Sequence, residues 1–137
     1  MVVTRKLRRS PNERGAAAVE FALILPVLVL LVFGIVQFSI AYDRQQSLNS
    51  AAREGARIAS LPATTQTDIS NKVTSSLSGV TFDSSPAVSV NPTATRPCEN
   101  RSGQAVIVTV TANSNIDIPI YGSSTVTLTG RGEFRCE

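Results

Sequence analysis

The hydrophobic pattern divides the chain into an unbroken apolar run, a stretch with helical spacing and a tail of alternating residues. Phe21 to Tyr42 is 22 residues without a charged side chain, and Phe21–Val36 is almost wholly apolar. At a rise of ~1.5 Å per residue such a helix reaches roughly 33 Å, enough to cross a hydrocarbon core of ~30 Å. Beyond Tyr42 polar residues enter, but Leu48, Ala51, Ala52, Gly55, Ile58 and Ala59 recur at three- and four-residue steps, the period of one helix face. Pro62 closes the pattern, because proline cannot continue a helix. The two stretches together predict one helix from about Ala16 to Leu61, its first half in lipid and its second half outside.

The tail predicts smaller elements. Ile69, Val73 and Leu77 lie four residues apart within Asp68–Ser78, which reads as a short helix with Thr67 as its N-cap and Gly79 as its stop. Ala87–Asn91 and Ala105–Ala112 alternate in the manner of strands, the second most clearly through Val106, Val108 and Val110. Pro92–Gly103 reads as a loop, and Asn113–Ser124, with Pro119 and Gly122, as a connecting loop. Thr125–Cys136 is the third strand, with Gly130 and Gly132 as candidate bulge positions. The expected fold is α+β: a long N-terminal transmembrane helix continuing into a small domain with a short helix and a three-stranded antiparallel sheet. About 75 residues after Pro62 bury only a small core, so the long helix is expected to lie on the sheet.

Charge sets the orientation. The chain carries 13 Lys and Arg against 10 Asp and Glu, a formal +3. Residues 1–15 hold five of the basic residues, Arg5, Lys6, Arg8, Arg9 and Arg14, against Glu13, while the rest of the chain is −1. The excess belongs to a short leader ahead of the apolar run, which places residues 1–15 in the cytoplasm and residues 43–137 across the membrane. A signal peptide cut after Ser39-Ile40-Ala41 is the competing reading, releasing a domain that starts at Tyr42. Against it stand an apolar run longer than a ~7–15-residue signal core, helical spacing that continues past Ala41, and a carboxylate, Glu20, at the head of the run. Histidine is absent, which removes Ser-His and Cys-His nucleophile pairs and HExxH zinc sites.

Glu20 is the residue that composition does not explain. An ionisable group is costly inside a membrane, and less so near the end of a span. Its neighbours give it a context: Arg14-Gly15-Ala16-Ala17-Ala18-Val19-Glu20-Phe21 puts Glu on the fifth residue after a glycine that ends a basic leader. This resembles the processing site of type IV prepilins, where a membrane aspartyl peptidase cuts after Gly. The run through Pro26, then Phe33-Gly34, then Ala51-Ala52-Arg53-Glu54-Gly55-Ala56-Arg57 resembles the TadE-like family, minor pseudopilins of the tight-adherence (Flp) pilus system, and leaves the related TadF type beside it. The resemblance covers about residues 14–60. Ala16 stands where many type IV pilins have Phe, which speaks against a major pilin of that kind.

The resemblance implies a pilin-like, non-enzymatic protein without cofactor, metal, nucleic acid or small-molecule substrate. Its partners would be a prepilin peptidase, other pilus subunits and the tight-adherence assembly machinery. Gly15 and Ala16 would flank the cleavage site, and Glu20 and Phe21 would belong to the processing and assembly motif. Cleavage would free the amine of Ala16, four residues from Glu20 and so on the same helix face, and in an assembly the amine of one subunit would neutralise the Glu of another. The implied organisation is a basic leader at 1–15, a transmembrane helix at 16–42, its extracytoplasmic continuation at 43–61 and a small domain at 62–137, in the inner or cytoplasmic membrane with the N-terminus inside. An uncleaved signal-anchored binding protein remains an alternative.

Three further features belong to the outer part. Ala51, Gly55 and Ala59 make a small-residue stripe at four-residue steps, suited to close packing on the protein's own sheet or on a neighbouring helix. Arg53, Glu54 and Arg57 form a charged run, with Glu54 and Arg57 spaced to pair. Gly130-Arg131-Gly132 lacks the strand–turn–helix setting of a nucleotide loop, and Asp68, Asp83 and Asp117 are isolated along the chain. Cys98 and Cys136, the only two cysteines, both fall on the expected outer side, where disulfides persist; free thiols and metal ligands are the rival readings, the latter poor without histidine. A bond would close a loop of about 38 residues and contribute at most ~4 kcal/mol by chain entropy. A disulfide predicts an intact mass lower by two hydrogens than the reduced protein and faster migration on a non-reducing gel.

Overall fold

The computed structural model describes residues 11–118 and 122–137, with side chains from Gly15 onward. The first ten residues of the expected leader, and Pro119 of the expected loop, lie outside the described residues. Two helices and three strands follow in the order α1 (Pro11–Ala59), α2 (Gln66–Ser76), β1 (Ala87–Asn91), β2 (Ala105–Ile118) and β3 (Gly122–Arg135). The strands form one antiparallel sheet in the order β1-β2-β3. The α+β plan read from the chain is therefore the observed one.

α1 is 49 residues long and begins at Pro11, five residues before the expected start at Ala16. Proline suits the first helical turn, where its missing N–H has no intrahelical partner to lose. The helix runs unbroken through Pro26 and ends at Ala59, short of Leu61. There Leu61 N–H donates to the Ile58 carbonyl at 3.2 Å and the Ser60 hydroxyl to the Arg57 carbonyl at 2.7 Å, closing the last turn just before Pro62.

α2 starts at Gln66 with Thr65, not Thr67, as its cap. Thr65 is extended, its hydroxyl accepts from Asp68 N–H at 3.3 Å, and the Asp68 carboxylate accepts from Thr65 N–H at 3.0 Å. This reciprocal box needs an acidic or amide side chain three residues after the cap; Thr65 has Asp68 there, whereas Thr67 has Ser70. The helix correspondingly ends at Ser76 rather than Ser78. Ile69, Val73 and Leu77 are all buried, as their spacing requires.

β1 has the expected bounds, but β2 and β3 are longer than expected. Asn113–Ser124 is not a loop: the ladder continues from Ala105↔Arg135 to Ile118↔Gly122. The polar residues of this stretch are satisfied across the sheet. Thr125 Oγ1 and Thr127 Oγ1 contact Asn115 Oδ1 at 2.7 Å and Asn113 Oδ1 at 3.1 Å. Asn113 N–H donates to Ser84 Oγ at 3.0 Å and Asn115 N–H to Asp83 Oδ2 at 2.7 Å. The segment before β1 thus continues β1's edge with side-chain acceptors. β3 ends at Arg135, leaving Cys136 just outside the strand.

The core lies between the distal part of α1, α2 and the even-numbered face of β2: Leu48, Ala51, Ala52, Ala56 and Ala59 meet Ile69, Val73, Val106, Val108 and Val110, all essentially without exposure. The glycines of β3 explain how a helix comes so close. Gly130 and Gly132 are not bulges, since the register runs through both without interruption. A Cβ on Gly130 would sit 2.3 Å from the Leu48 carbonyl oxygen, and one on Gly132 the same distance from that of Ala52. Two residues of strand (~6.6 Å) match four residues of helix (~6 Å), so both glycines face successive turns of α1. Backbone rests on backbone, and the obstacle to a side chain is rigid. Gly130→Ala and Gly132→Ala are each expected to destabilise the domain by ~1–3 kcal/mol or more, the range of overpacked cores. Gly15→Ala, with nothing within 4 Å of its added methyl, leaves the domain's unfolding unchanged; thermal melts of the detergent-solubilised chain compare the three.

Candidate functional site

The helix α1 has two unlike halves. From Gly15 to Val29 every residue is exposed, and its apolar side chains include Val19, Phe21, Leu23 and Ile24, each more than 60% exposed. The described helix is long and apolar enough there to cross a membrane. From Leu30 a half-buried stripe appears at Leu30, Gln37, Ala41, Arg44 and Gln45, reaching full burial at Leu48. The sheet therefore covers one face of the helix progressively, and the first four turns past Gly15 stand free of the domain.

Gly15, Ala16, Glu20 and Phe21 all lie on this free half and are exposed. Ala16 and Glu20 are four residues apart on continuous helix, hence on one face. Glu20 makes no ion pair among the described residues. Farther along, Phe38 and Tyr42 stack with ring centroids 6.2 Å apart and planes 18° from parallel. Both rings are more than half exposed, and they come directly before the first charged residues, Asp43 and Arg44. Aromatic side chains at such a level are characteristic of a membrane–water interface.

Arg44 fastens the helix where its polar half begins. Its Nη1 donates to the Ser114 hydroxyl and lies 3.3 Å from Asp83 Oδ2. Ser114 is 1% exposed, a buried polar residue on the even face of β2, so its partner matters: a buried hydroxyl without one is costly. The Asp83 carboxylate also accepts from Asn115 N–H, so a single carboxylate joins α1, β2 and the segment before β1. Gln45 adds a bond from Nε2 to the Thr129 carbonyl at 2.7 Å. These contacts were not legible from local patterns; Arg44 is the first basic residue after the apolar run, but nothing near it in the chain identified Asp83 or Ser114.

The small-residue stripe and the charged run resolve into intramolecular contacts. Ala51 and Ala59 are buried in the core, and Gly55 lies where an added Cβ would come 2.6 Å from Val73 Cγ2 and 3.3 Å from Val108 Cγ1. Glu54 meets Arg57 and Lys72, each with a closest nitrogen 3.4 Å from a carboxylate oxygen, which links α1 to α2. Arg53 is exposed. Cys98 and Cys136 are disulfide-bonded, with Cα atoms 5.3 Å apart, and both are buried. The bond ties the loop after β1 to the end of β3, where Glu137 N–H also donates to the Ser60 carbonyl at 3.0 Å.

With this geometry in view, the match to known proteins falls on one element. Residues 15–57 match the model of the TadE-like protein family. The matched stretch opens at Gly15 and closes two residues before the end of α1, so the similarity falls on the helix, free half and seated half together. Proteins of the TadE-like family are Tad pilus-associated and generally structural. No curated protein and no solved structure matches the chain.

Two carboxylates of the outer domain have lowered pKa values. Hydrogen bonding from Arg57, and then from Lys72, holds Glu54 below the ordinary carboxylate range. The Thr65 hydroxyl, and then its backbone N–H, do the same for Asp68. A pKa lower in the folded than in the unfolded chain contributes stability that is present above the unfolded pKa and lost as pH falls through the folded one. Melting temperature is therefore expected to fall as the medium is acidified below the ordinary carboxylate range. Glu54→Gln and Asp68→Asn each remove part of that slope, and each slightly lowers the melting temperature at neutral pH. A melt series across acidic pH values on the two variants measures both effects.

Proposed function

We propose that the chain is a minor pseudopilin of a tight-adherence pilus, held in the inner or cytoplasmic membrane by residues 16–42 with its N-terminus in the cytoplasm and residues 43–137 outside. A prepilin peptidase cuts between Gly15 and Ala16 and removes the basic leader. The observation that carries this reading is the position of Gly15 and Glu20. Both fall within the stretch that matches the TadE-like model, at the start of the exposed apolar half of α1, clear of the folded domain. Gly15 lies in continuous helix, so the peptidase must open it locally. Glycine is where a helix is least costly to open, by ~1 kcal/mol relative to alanine.

The proposed chemistry after the cut is electrostatic. The new amine of Ala16 is a cation and Glu20 an anion, each costly in a low-dielectric layer unless paired. Pairing the amine of one subunit with Glu20 of the next makes lateral assembly the step that neutralises both. The seated half of α1 keeps the domain folded on its own helix throughout, and the other pilus subunits and the assembly machinery act on the free half. The role is structural.

The three mature N-termini open to the chain discriminate the readings. Sequencing of the native protein is expected to begin at Ala16; Met1 would indicate an uncleaved anchor and Tyr42 a secreted domain. Gly15→Ala is expected to leave the leader in place. Glu20→Ala is expected to leave the domain's melting temperature unchanged while pilus yield falls sharply, and normal pili with that variant would overturn the assembly role.

A further inference from the structure

The β2–β3 hairpin reaches far down the helix. Its last described pair, Ile118↔Gly122, does not stop at the polar half of α1. Asp117, Ile118, Gly122 and Ser123 line a shallow cleft together with Leu30, Phe33 and Gln37. The strand and helix lengths agree with this. Gly130 faces Leu48, and the eight strand residues from Gly130 back to Gly122 cover ~26 Å, the rise of about 18 helical residues. That returns the hairpin end to the level of Leu30. Counted from Gly15, Leu30 and Gln37 lie ~22 and ~33 Å along the helix axis, and the stacked Phe38–Tyr42 pair stands just beyond.

We propose that the end of the β2–β3 hairpin is a second membrane contact, seated in the outer boundary between headgroups and acyl chains beside the helix that spans the bilayer. The occupant of the cleft between hairpin and helix is lipid. This rests on the membrane reading of α1 given above: with Ala16 at the inner edge of a ~30 Å hydrocarbon layer, the outer edge falls near Val36, and the helix residues beside the hairpin end, Leu30 to Gln37, run from ~9 Å inside that edge to the edge itself. Ile118 is 44% exposed and Val126 38% exposed, part-exposed apolar surface on the side of the domain toward the free half of α1. The ladder is paired through Ile118↔Gly122, while the outward-facing backbone groups of this two-stranded end need the polar boundary, where water still reaches them. The exposed Asp117 limits the depth, since a carboxylate is costly in the acyl interior and must reach the headgroup boundary. Two contacts at the same leaflet fix the tilt and rotation of the domain, which a single helix does not.

The chain contains no tryptophan, so one introduced tryptophan reports a single site. The full-length protein is reconstituted into phosphatidylcholine–phosphatidylglycerol vesicles, with and without lipid brominated along the acyl chain. Leu25→Trp reports the spanning helix, Ile118→Trp the hairpin end, Ser123→Trp its opposite strand, and Ser89→Trp the far end of the sheet. The expected result is strong quenching of Leu25→Trp, partial quenching with blue-shifted emission for Ile118→Trp and Ser123→Trp, and none for Ser89→Trp. Unquenched Ile118→Trp and Ser123→Trp beside a quenched Leu25→Trp overturn the proposal and leave the spanning helix standing; so does a blue shift at these two sites that brominated lipid leaves unquenched, which makes the hairpin end a protein contact. An unquenched Leu25→Trp removes the membrane reading and this proposal with it.

Discussion

Everything outside the apolar run depends on the approach of α1 to β3 without intervening side chains. Leu48 and Ala52 present backbone to Gly130 and Gly132, and a chain with a small core gains its cohesion from that proximity. Once the helix lies against the strand, Val106, Val108 and Val110 of β2 are brought under Ala51, Gly55 and Ala56, and α2 closes the remaining side with Ile69 and Val73. Gly55 costs helix stability where it stands, and it is needed because Val73 and Val108 occupy the volume a side chain would take. Small residues on both partners and large aliphatic ones on the flanks divide the interface into a line of backbone contact and a border of side-chain packing.

Much of this plan was legible in the chain, and the parts that were not have identifiable causes. The apolar run, the four-residue steps of Leu48 to Ala59 and of Ile69 to Leu77, and the alternation of Val106 to Val110 are periodic signals set by burial, and they survive in the structure with small shifts at the ends. Thr67 reads as the cap from its place directly before Asp68, whereas the observed cap, Thr65, is decided by its reciprocal bonds with Asp68. Asn113–Ser124 reads as loop from Pro119 and Gly122, and what holds Asn113, Ser114 and Asn115 in the strand, Arg44, Asp83, Thr125 and Thr127, lies 10 to 70 residues away, since β preference depends on neighbours. Gly130 and Gly132 read as bulges because a glycine in a strand has two explanations, a kink or a close approach, and only the helix 80 residues earlier decides between them. At the candidate site, Gly15 and Glu20 were visible through their spacing, whereas the clamp of Arg44 on Ser114 and Asp83 is purely tertiary.

The polar contacts divide their work by position. Arg44, Asp83 and Gln45 stand at the end toward the free apolar half of α1, where they hold helix, sheet and the segment before β1 in register. Glu54, Arg57 and Lys72 stand on the surface between the two helices, where exposed pairs add little to stability and chiefly set which faces meet. The disulfide and the Glu137–Ser60 bond close the opposite end. The domain is thus fastened at both ends of its long axis by directional bonds and along its middle by nondirectional packing.

The parallel course of helix and strand has a mechanical consequence. A pull on the free half of α1 along its axis runs in the same direction as β3, so it loads the helix–sheet interface in shear, with Arg44, Gln45, Leu48, Ala52 and the later turns sharing the force at once. A pull across the axis would instead peel these contacts one turn at a time. The fold resists a pull along the helix axis more strongly than it resists bending away from the helix.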